Sequence, residues 1–565
     1  MRLPDRYCYG TLFACSGMDG ENSHMQDLAG MLMPTPVQIR FDAKTNPVTL
    51  AVDVTDARMD FVLSDALQSR ELLLVFAAKS ALVGKTDRPV RMFAEQEAAR
   101  SVVDGADVLC ADGWCYALLV QNGRFAFCRE ATPAAAAAAA KEAIGRDVVS
   151  LRDAILAYYE TKPACRREAY EQLYYKCLSV NRVNVYSPQD GFSCRFTTPD
   201  RLPHKQMWLW DSMFHAMTFA QYDPQMAKEA LLAVLEAQRE DGFIPHMMKS
   251  VTDTSAITQP QVIAWAALTV YRATKDRAFL AACAEKIAAF ELWFLKHRDL
   301  NGNGLLEWKT DYSNVRCRCD ESGMDNSPRF DTTETLDAID CSCFMVHDCR
   351  CLAEIYRVLE NEPQAARFQK IADDIAQRIN DLLWDDSVGA YCDRTLSGKL
   401  THVLSVCSFL PLFAGVCTPE RAARLVEHLH NEKTFATPLP VASISRDHPD
   451  YGADMWRGCV WLNFNYFVLL GLRRYGFDDE AQRLLERTLQ CVDRWFRETG
   501  NVFEFYDAED VTAPWRLNRK GPQPPVPDYR IRMHAITDFN WSACFTLLMI
   551  QDAGKDNDAA FPACV

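Results

Sequence analysis

From about residue 150 onward, amphipathic helix patterns follow one another almost without interruption. "PQMAKEALLAVLEAQ", "RAFLAACAEKIAAFELWFLKH", "PQAARFQKIADDIAQRINDLLW" and "DDEAQRLLERTLQCVDRWF" are examples, and about a dozen such segments can be counted by their apolar period. They alternate in kind. A strongly apolar helix such as "DFNWSACFTLLMI" is neighboured in sequence by a charged one with a single apolar face. A double ring of helices requires this: an inner ring buried on both sides and an outer ring with one wet face. An open superhelix would alternate in the same way, and the loops separate the two. Here they are long, polar and aromatic ("DRLPHKQMWLWDS", "RETGNVFEFYDAEDVTAPWRLN"), as loops that carry function usually are. The expected fold is mainly α, an (α/α)6 toroid over residues 165–565, with no strands within 200–300.

The segment before it reads differently. "VTLAVDV", "ELLLVFAA" and "WCYALLVQNGRFAFCRE" are short, β-branched or aromatic, and broken by turn residues, with an Asn-Gly hairpin in "QNGRF". Residues 1–135 are expected to form an N-terminal β-sandwich-like domain. The alanine run in "TPAAAAAAAKEAIGRD" favours a helix, and residues 136–164 are read as a helical linker.

The net charge of -15 over 565 residues argues against a nucleic-acid or anionic-membrane partner. No apolar run approaches the roughly 18 residues that span a bilayer, and the first residues lack the architecture of a signal peptide. The 22 cysteines are scattered, many of them inside apolar helix patterns, and read as reduced, buried residues of a cytoplasmic protein. Their C-x-C pairs lack the spacing of a zinc site.

Four polar-aromatic stretches stand apart: "RFTTPDRLPHKQMWLWDSMFHA", "ESGMDNSPRFD", "MWRGCVWLNFNY" and "TGNVFEFYD". All fall at helix ends or between helices, and a ring would bring them together on one face. Two carboxylic acids distant in sequence could then flank one bond. On the residues alone, Asp325 could equally be a helix N-cap, and Glu504 an exposed strand residue.

These stretches, with "ITQPQV", resemble the (α/α)6-barrel glycosidases of glycoside hydrolase family 63, especially the mannosylglycerate/glucosylglycerate-hydrolase-like members, and more distantly the trehalases. The resemblance runs from about 165 to 553. It implies an inverting α-glycosidase that hydrolyses a small α-glucoside or α-mannoside. It makes Asp325 the general acid and Glu504 the general base, and assigns Trp210, Asp211, Gln259, Trp456, Arg457 and Asn463 to sugar binding. Inversion needs one protonated carboxyl for the leaving oxygen and one ionised carboxyl for a water on the opposite face. Glu321, four residues before Asp325, is read as a supporting acid whose charge keeps Asp325 protonated. Met324 and Cys459 depart mildly from the family pattern and leave both carboxyls in place.

"RDLNGNGLLEW" resembles the opening of a calcium loop, with Asp299, Asn301, Asn303 and, in place of the missing twelfth ligand, Glu307 as candidate ligands. The chemistry itself requires no cofactor. Two further function classes stay open. A sugar isomerase or epimerase on the same barrel would rely on paired histidines, which these loops scarcely supply. A carbohydrate-binding barrel without catalysis would not need both carboxyls. The expected partner is a small carbohydrate.

Overall fold

The structure is a computed structural model and describes residues 11–14, 23–33, 37–41, 46–55, 59–202, 204–314, 316–332, 334–521 and 534–552. Two antiparallel sheets form the N-terminal part. One orders Thr11–Ala14, Ala29–Met33, Val37–Phe41, Val48–Val52 and Val90–Ala94. The other orders Ala99–Val103, Ala106–Ala111, Trp114–Gln121, Arg124–Glu130, Ala81–Lys85, Leu73–Ala78, Ala66–Ser69 and Met59–Val62. Val37–Phe41 buries alternate side chains, whereas the central Val48–Val52 is buried along its whole length, and Phe41 of the first sheet stacks on Phe127 of the second at 4.7 Å.

Helix α1 (Pro133–Ala143) starts with Pro133 in its first turn, after the Thr132 hydroxyl that caps Ala135 N–H. It lays Ala136, Ala137, Ala140 and Ala143 on the strands Trp114–Gln121 and Arg124–Glu130. Alanine suits that contact, because it lets helix and sheet approach closely at no side-chain entropy cost. Helix α2 (Val148–Glu160) follows. The reading of all cysteines as reduced is corrected here: Cys110 and Cys115, cross-strand partners, form a disulfide.

The remaining helices are α3 (Glu171–Val183), α4 (Leu209–Phe219), α5 (Pro224–Glu236), α6 (Ile263–Thr274), α7 (Arg277–His297), α8 (Ile339–Val358), α9 (Glu362–Leu382), α10 (Leu410–Ala414), α11 (Pro419–His430), α12 (Leu462–Arg474), α13 (Asp478–Thr499) and α14 (Asn540–Ile550). α4, α6, α8, α10, α12 and α14 touch one another in that order, and α14 touches α4, so the ring closes. The outer helices pack behind it: α5 behind α4 and α6, α7 behind α6 and α8, α9 behind α8, α13 behind α12 and α14, α3 behind α14. The alternation in the sequence is this inside–outside distinction. Every residue of α4 and α14 is buried, whereas α13 buries Ala481, Leu484, Leu485, Thr488, Leu489 and Val492 along one stripe.

Strands do occur within 200–300. Met207–Trp208 pairs with Met247–Met248, a short ladder that fixes Trp208 and the neighbouring His246 at the mouth of the ring. The two domains are joined through buried polar contacts. Lys176 on α3, paired with Asp538 at 2.7 Å and fully buried, also donates to Ser64 Oγ of the N-terminal part at 3.3 Å, and Ser64 N–H donates to Ser179 Oγ. Among the described residues no helix is long and apolar enough to cross a membrane.

One buried acid pair in the ring gives a stability prediction. Asp348 on α8 accepts from Ala264 and Trp265 N–H, both at 2.8 Å, at the start of α6. Glu291 on α7 lies against it, fully buried. Burial, then the Asp348 charge, pushes the Glu291 carboxyl well above its ordinary range. Folded chains therefore hold a proton that unfolded chains release above about pH 4.3, so stability falls as pH rises from there toward the raised value. Glu291→Gln removes that proton requirement. The melting temperature of the variant relative to wild type should climb between pH 5 and pH 8; an offset that stays flat across that range would refute the assignment.

Candidate active site

The loops leading into α4, α6, α8, α12 and α14 converge on one side of the ring. They enclose a cavity of about 250 Å³. Since a water takes up about 30 Å³ of liquid, this is room for a small polar ligand. Because the inner helices begin there, their N-terminal partial positive charges face the cavity and favour anionic groups.

The loop 321–330 is shaped by a 3₁₀ turn, Asp320–Ser322, ended by Gly323 at φ +74°. A Cβ on Gly323 would stand 2.4 Å from the Trp210 ring, so only glycine allows both the turn and the contact. Asp325 follows, and its carbonyl accepts from Arg318 N–H at 3.0 Å. Asn326 ties the loop to the next one: its Oδ1 accepts from Trp456 N–H at 3.0 Å and its Nδ2 donates to Asp454 at 3.1 Å. Arg329, fully buried, donates to Asp340 and Asp393, each at 2.7 Å, and anchors the exit.

Asp325 and Glu504 both line the cavity, with Trp210, Asp211 and Gln259. Gln259 Oε1 accepts from Trp210 N–H at 3.2 Å, which fixes the start of α4. Each of the two distant carboxyls meets a cation from one short segment. Arg519 donates to both Glu504 oxygens at 3.1 Å, and Lys520 Nζ lies 2.7 Å from Asp325 Oδ2. Asp211 is held well above the ordinary carboxylate range by burial, with Asp200 and Glu504 adding to the effect. His246, whose Nδ1 pairs with Ser255 Oγ, is pushed down to about 4 by burial, so its ring is neutral. His204 is held by Asp200 at 2.5 Å.

Four expected site residues are placed elsewhere. Glu321 is fully buried and accepts from Arg298 at 2.6 Å, Lys309 N–H at 2.7 Å and Thr258 N–H at 3.2 Å. Its charge is spent on packing the loop, and the carboxyl beside Asp325 in the cavity wall is Asp320, which burial, and then Asp325, shift upward. Trp456 stacks face to face behind Trp461 at 3.8 Å, and Trp461 supplies the wall. Arg457 turns outward to Asp331 at 2.6 Å and Asp450 at 3.6 Å. Asn463 is fully buried in the first turn of α12, outside the wall.

Arg519 and Lys520 were missed because "LNRKGPQ" carries no period and no aromatic company. Trp208, Trp541 and Phe539 also line the cavity; the Trp-x-Trp spacing of 208 and 210 was the available signal.

In the candidate cation loop, Asn301 and Asn303 donate their amides to Asp337 at 3.0 and 2.8 Å. Leu300 N–H donates to Glu307 at 2.8 Å and Gly304 N–H to Asp299 at 3.2 Å. Asp299 Oδ1 and Glu307 Oε1 are buried without a hydrogen-bond partner.

A family model described as "Mannosylglycerate hydrolase MGH1-like glycoside hydrolase domain" matches residues 204–542, the span that contains the ring from just before α4 into α14. The chain is 27% identical over 403 residues to a mannosylglycerate hydrolase from Rubrobacter radiotolerans, covering 55% of this chain and 88% of that one. It is 26% identical over 392 residues to mannosylglycerate hydrolase MGH1 from Selaginella moellendorffii, covering 55% and 77%. Among solved structures, a mannosylglycerate hydrolase from Thermus thermophilus in complex with Tris and D-glycerate superposes with a TM-score of 0.53 at 23% identity, covering 66% of this chain and 99% of that one. With more than half the chain matched and a ring whose loops carry Asp325 and Glu504 into one cavity, this chain belongs to the mannosylglycerate hydrolase MGH1-like glycoside hydrolases and is an inverting α-glycosidase acting on small α-glycosides.

Proposed function

We propose that the chain hydrolyses an α-mannosyl or α-glucosyl glycerate, with Asp325 as general acid and Glu504 as general base. The observation that carries the reading is the shared cavity: Asp325 and Glu504, 179 positions apart in sequence, line the same small polar space. Asp325–COOH gives its proton to the glycosidic oxygen as the C–O bond breaks. Glu504 takes a proton from the water whose oxygen bonds to the anomeric carbon from the other face. Trp208, Trp210, Trp461 and Trp541 around it offer the apolar ring surface on which sugars pack. Names of relatives support the glycerate. The test is a panel of α-glucosides and α-mannosides, with the released sugar identified and its anomer followed by NMR. Release of the β-anomer from the glycerate glycosides supports the reading. Hydrolysis confined to α-glycosides with sugar aglycones would refute the substrate.

A cytoplasmic location fits the many free, buried cysteines and the similarity to a cytosolic neutral trehalase from Kluyveromyces lactis, 29% identical over 223 residues, 35% of this chain and 28% of that one. The hydrolysis itself requires only carboxyls and water. For the loop Asp299–Glu307 we propose a structural calcium ion. Asp299 and Glu307 offer the two unpartnered buried oxygens, and burial, opposed in part by the Leu300 N–H, raises Glu307 to about 8. A cation would take the place of that proton. Millimolar calcium should raise the melting temperature and release protons at pH 7, EDTA should reverse both, and Glu307→Gln should abolish them. A melting temperature indifferent to calcium and EDTA would sink the proposal.

A further inference from the structure

Lys520 stands where a general acid tolerates it least. Its Nζ lies 2.7 Å from Asp325 Oδ2, 3.9 Å from Asp320 and 3.0 Å from Cys317 Sγ. An ammonium so close stabilises the carboxylate and competes with the proton Asp325 has to deliver. Burial opposes the lysine's charge, but Asp325 raises its pKa above the ordinary range, so the ammonium does not itself lose its proton to neutralise the pair. For Asp325 to act, the ammonium has to move.

The segment is built for the side chain to move while the backbone stays. Lys520 N–H and Gly521 N–H donate to the two Asp454 oxygens at 2.9 and 2.8 Å, and Asn518 exchanges backbone bonds with Ala453 and Met455. Lys520 itself is held at φ +62°. Its side chain is one quarter exposed, whereas that of Arg519, on the base, is 9% exposed. The fork of Arg519 suits a permanent partner of an ionised base, and the flexible stem of Lys520 suits an exchangeable one.

We infer that Lys520 is a specificity-determining residue that reads the charge of the leaving group: a carboxylate next to the glycosidic oxygen draws the ammonium off Asp325 and so frees the acid. This rests on the reading of Asp325 as the proton donor. In a 2-O-glycosyl 2-hydroxy acid, two bonds separate the glycosidic oxygen from the carboxyl carbon. A donor poised over that oxygen therefore has the carboxylate beside it, within the swing of a lysine stem. The ammonium exchanges one carboxylate for another, and no covalent step is added. A neutral leaving group offers no such exchange, and the ammonium has to be driven into water.

The experiment measures D-glycerate binding by NMR titration, with glycerol as the uncharged control, and hydrolysis of a 2-O-α-glycosyl glycerate and the matching glycosyl glycerol. Lys520→Met should weaken glycerate binding about tenfold or more, raise KM for the anionic glycoside, and raise kcat for the neutral one. Lys520→Arg should restore the preference in part. Asp325→Asn should tighten glycerate binding about two- to fivefold, since the competing carboxylate is gone. Glycerate binding that is absent in wild type, or indifferent to Lys520→Met and Asp325→Asn, overturns the inference. A wild type that binds glycerate through Lys520 but hydrolyses neither glycoside keeps the inference as a carboxylate site and refutes the proposed reaction instead.

Discussion

Asp325→Asn is expected to abolish turnover of natural glycosides, with a loss of about 10²–10⁴-fold or more, and to spare glycosyl fluorides. An alkoxide is a poor leaving group and needs the proton as the C–O bond breaks, whereas fluoride departs with far less help. The asparagine keeps the volume, and the loop is held without the carboxylate. Its carbonyl takes the Arg318 N–H, Asn326 ties it to Trp456 and Asp454, and Arg329 locks its exit. The fold should therefore survive. Steady-state kinetics on a glycosyl glycerate and on the matching fluoride decides the role. Equal losses on both would assign Asp325 to sugar binding and move the acid to Asp211, whose carboxyl burial pushes well above its ordinary range. Glu321→Gln, by contrast, removes half of a buried ion pair with Arg298. It should lower stability before it touches the chemistry.

Glu504→Gln should cut turnover by about 10²–10⁴-fold with substrate binding nearly unchanged. The amide keeps the shape and one acceptor for Arg519, but it cannot take a proton from water. Azide tests this directly. A small anion beside the Arg519 guanidinium can attack the anomeric carbon without needing a base, forming a C–N bond as the C–O bond breaks. The product would be the glycosyl azide of inverted configuration. Full activity in Glu504→Gln would place the base elsewhere. Glu509, the next glutamate along the segment, is not that alternative. It accepts from Arg446 and Tyr451, lies outside the cavity wall, and is held below the ordinary carboxylate range by Arg446.

The ring was legible because burial leaves a periodic trace. A helix wetted on one face shows a stripe, as α13 does, and one covered all round shows none, as α14 does. The loops carrying Asp325 and Glu504 were legible by chemistry: acids, glycine and aromatics crowded into a few positions. What failed was resolution within a motif. In a 3₁₀ turn each residue advances by a third of a turn, so neighbouring Asp320 and Glu321 point apart, one to the cavity and one to Arg298. Trp456 and Trp461 look interchangeable in sequence, yet one ring hides the other. Lys520 and Arg519 reach the cavity through a loop folded by Asp454, and pairing of that sort, across more than sixty positions, leaves no local pattern.

The closure of the inner ring also sets an order in time. The face of α4 that ends up against α14 is made more than three hundred residues before its partner. At about 5–20 residues per second of synthesis, α4 waits roughly 15–65 s for the partner helix that completes the cover of Trp210 and Phe214. Trp541 and Phe545, which meet them, arrive with the last helix. Until then neither the ring nor the wall between Asp211 and Glu504 exists, so a nascent chain halted before residue 540 is a customer for chaperones with no partial catalyst in it.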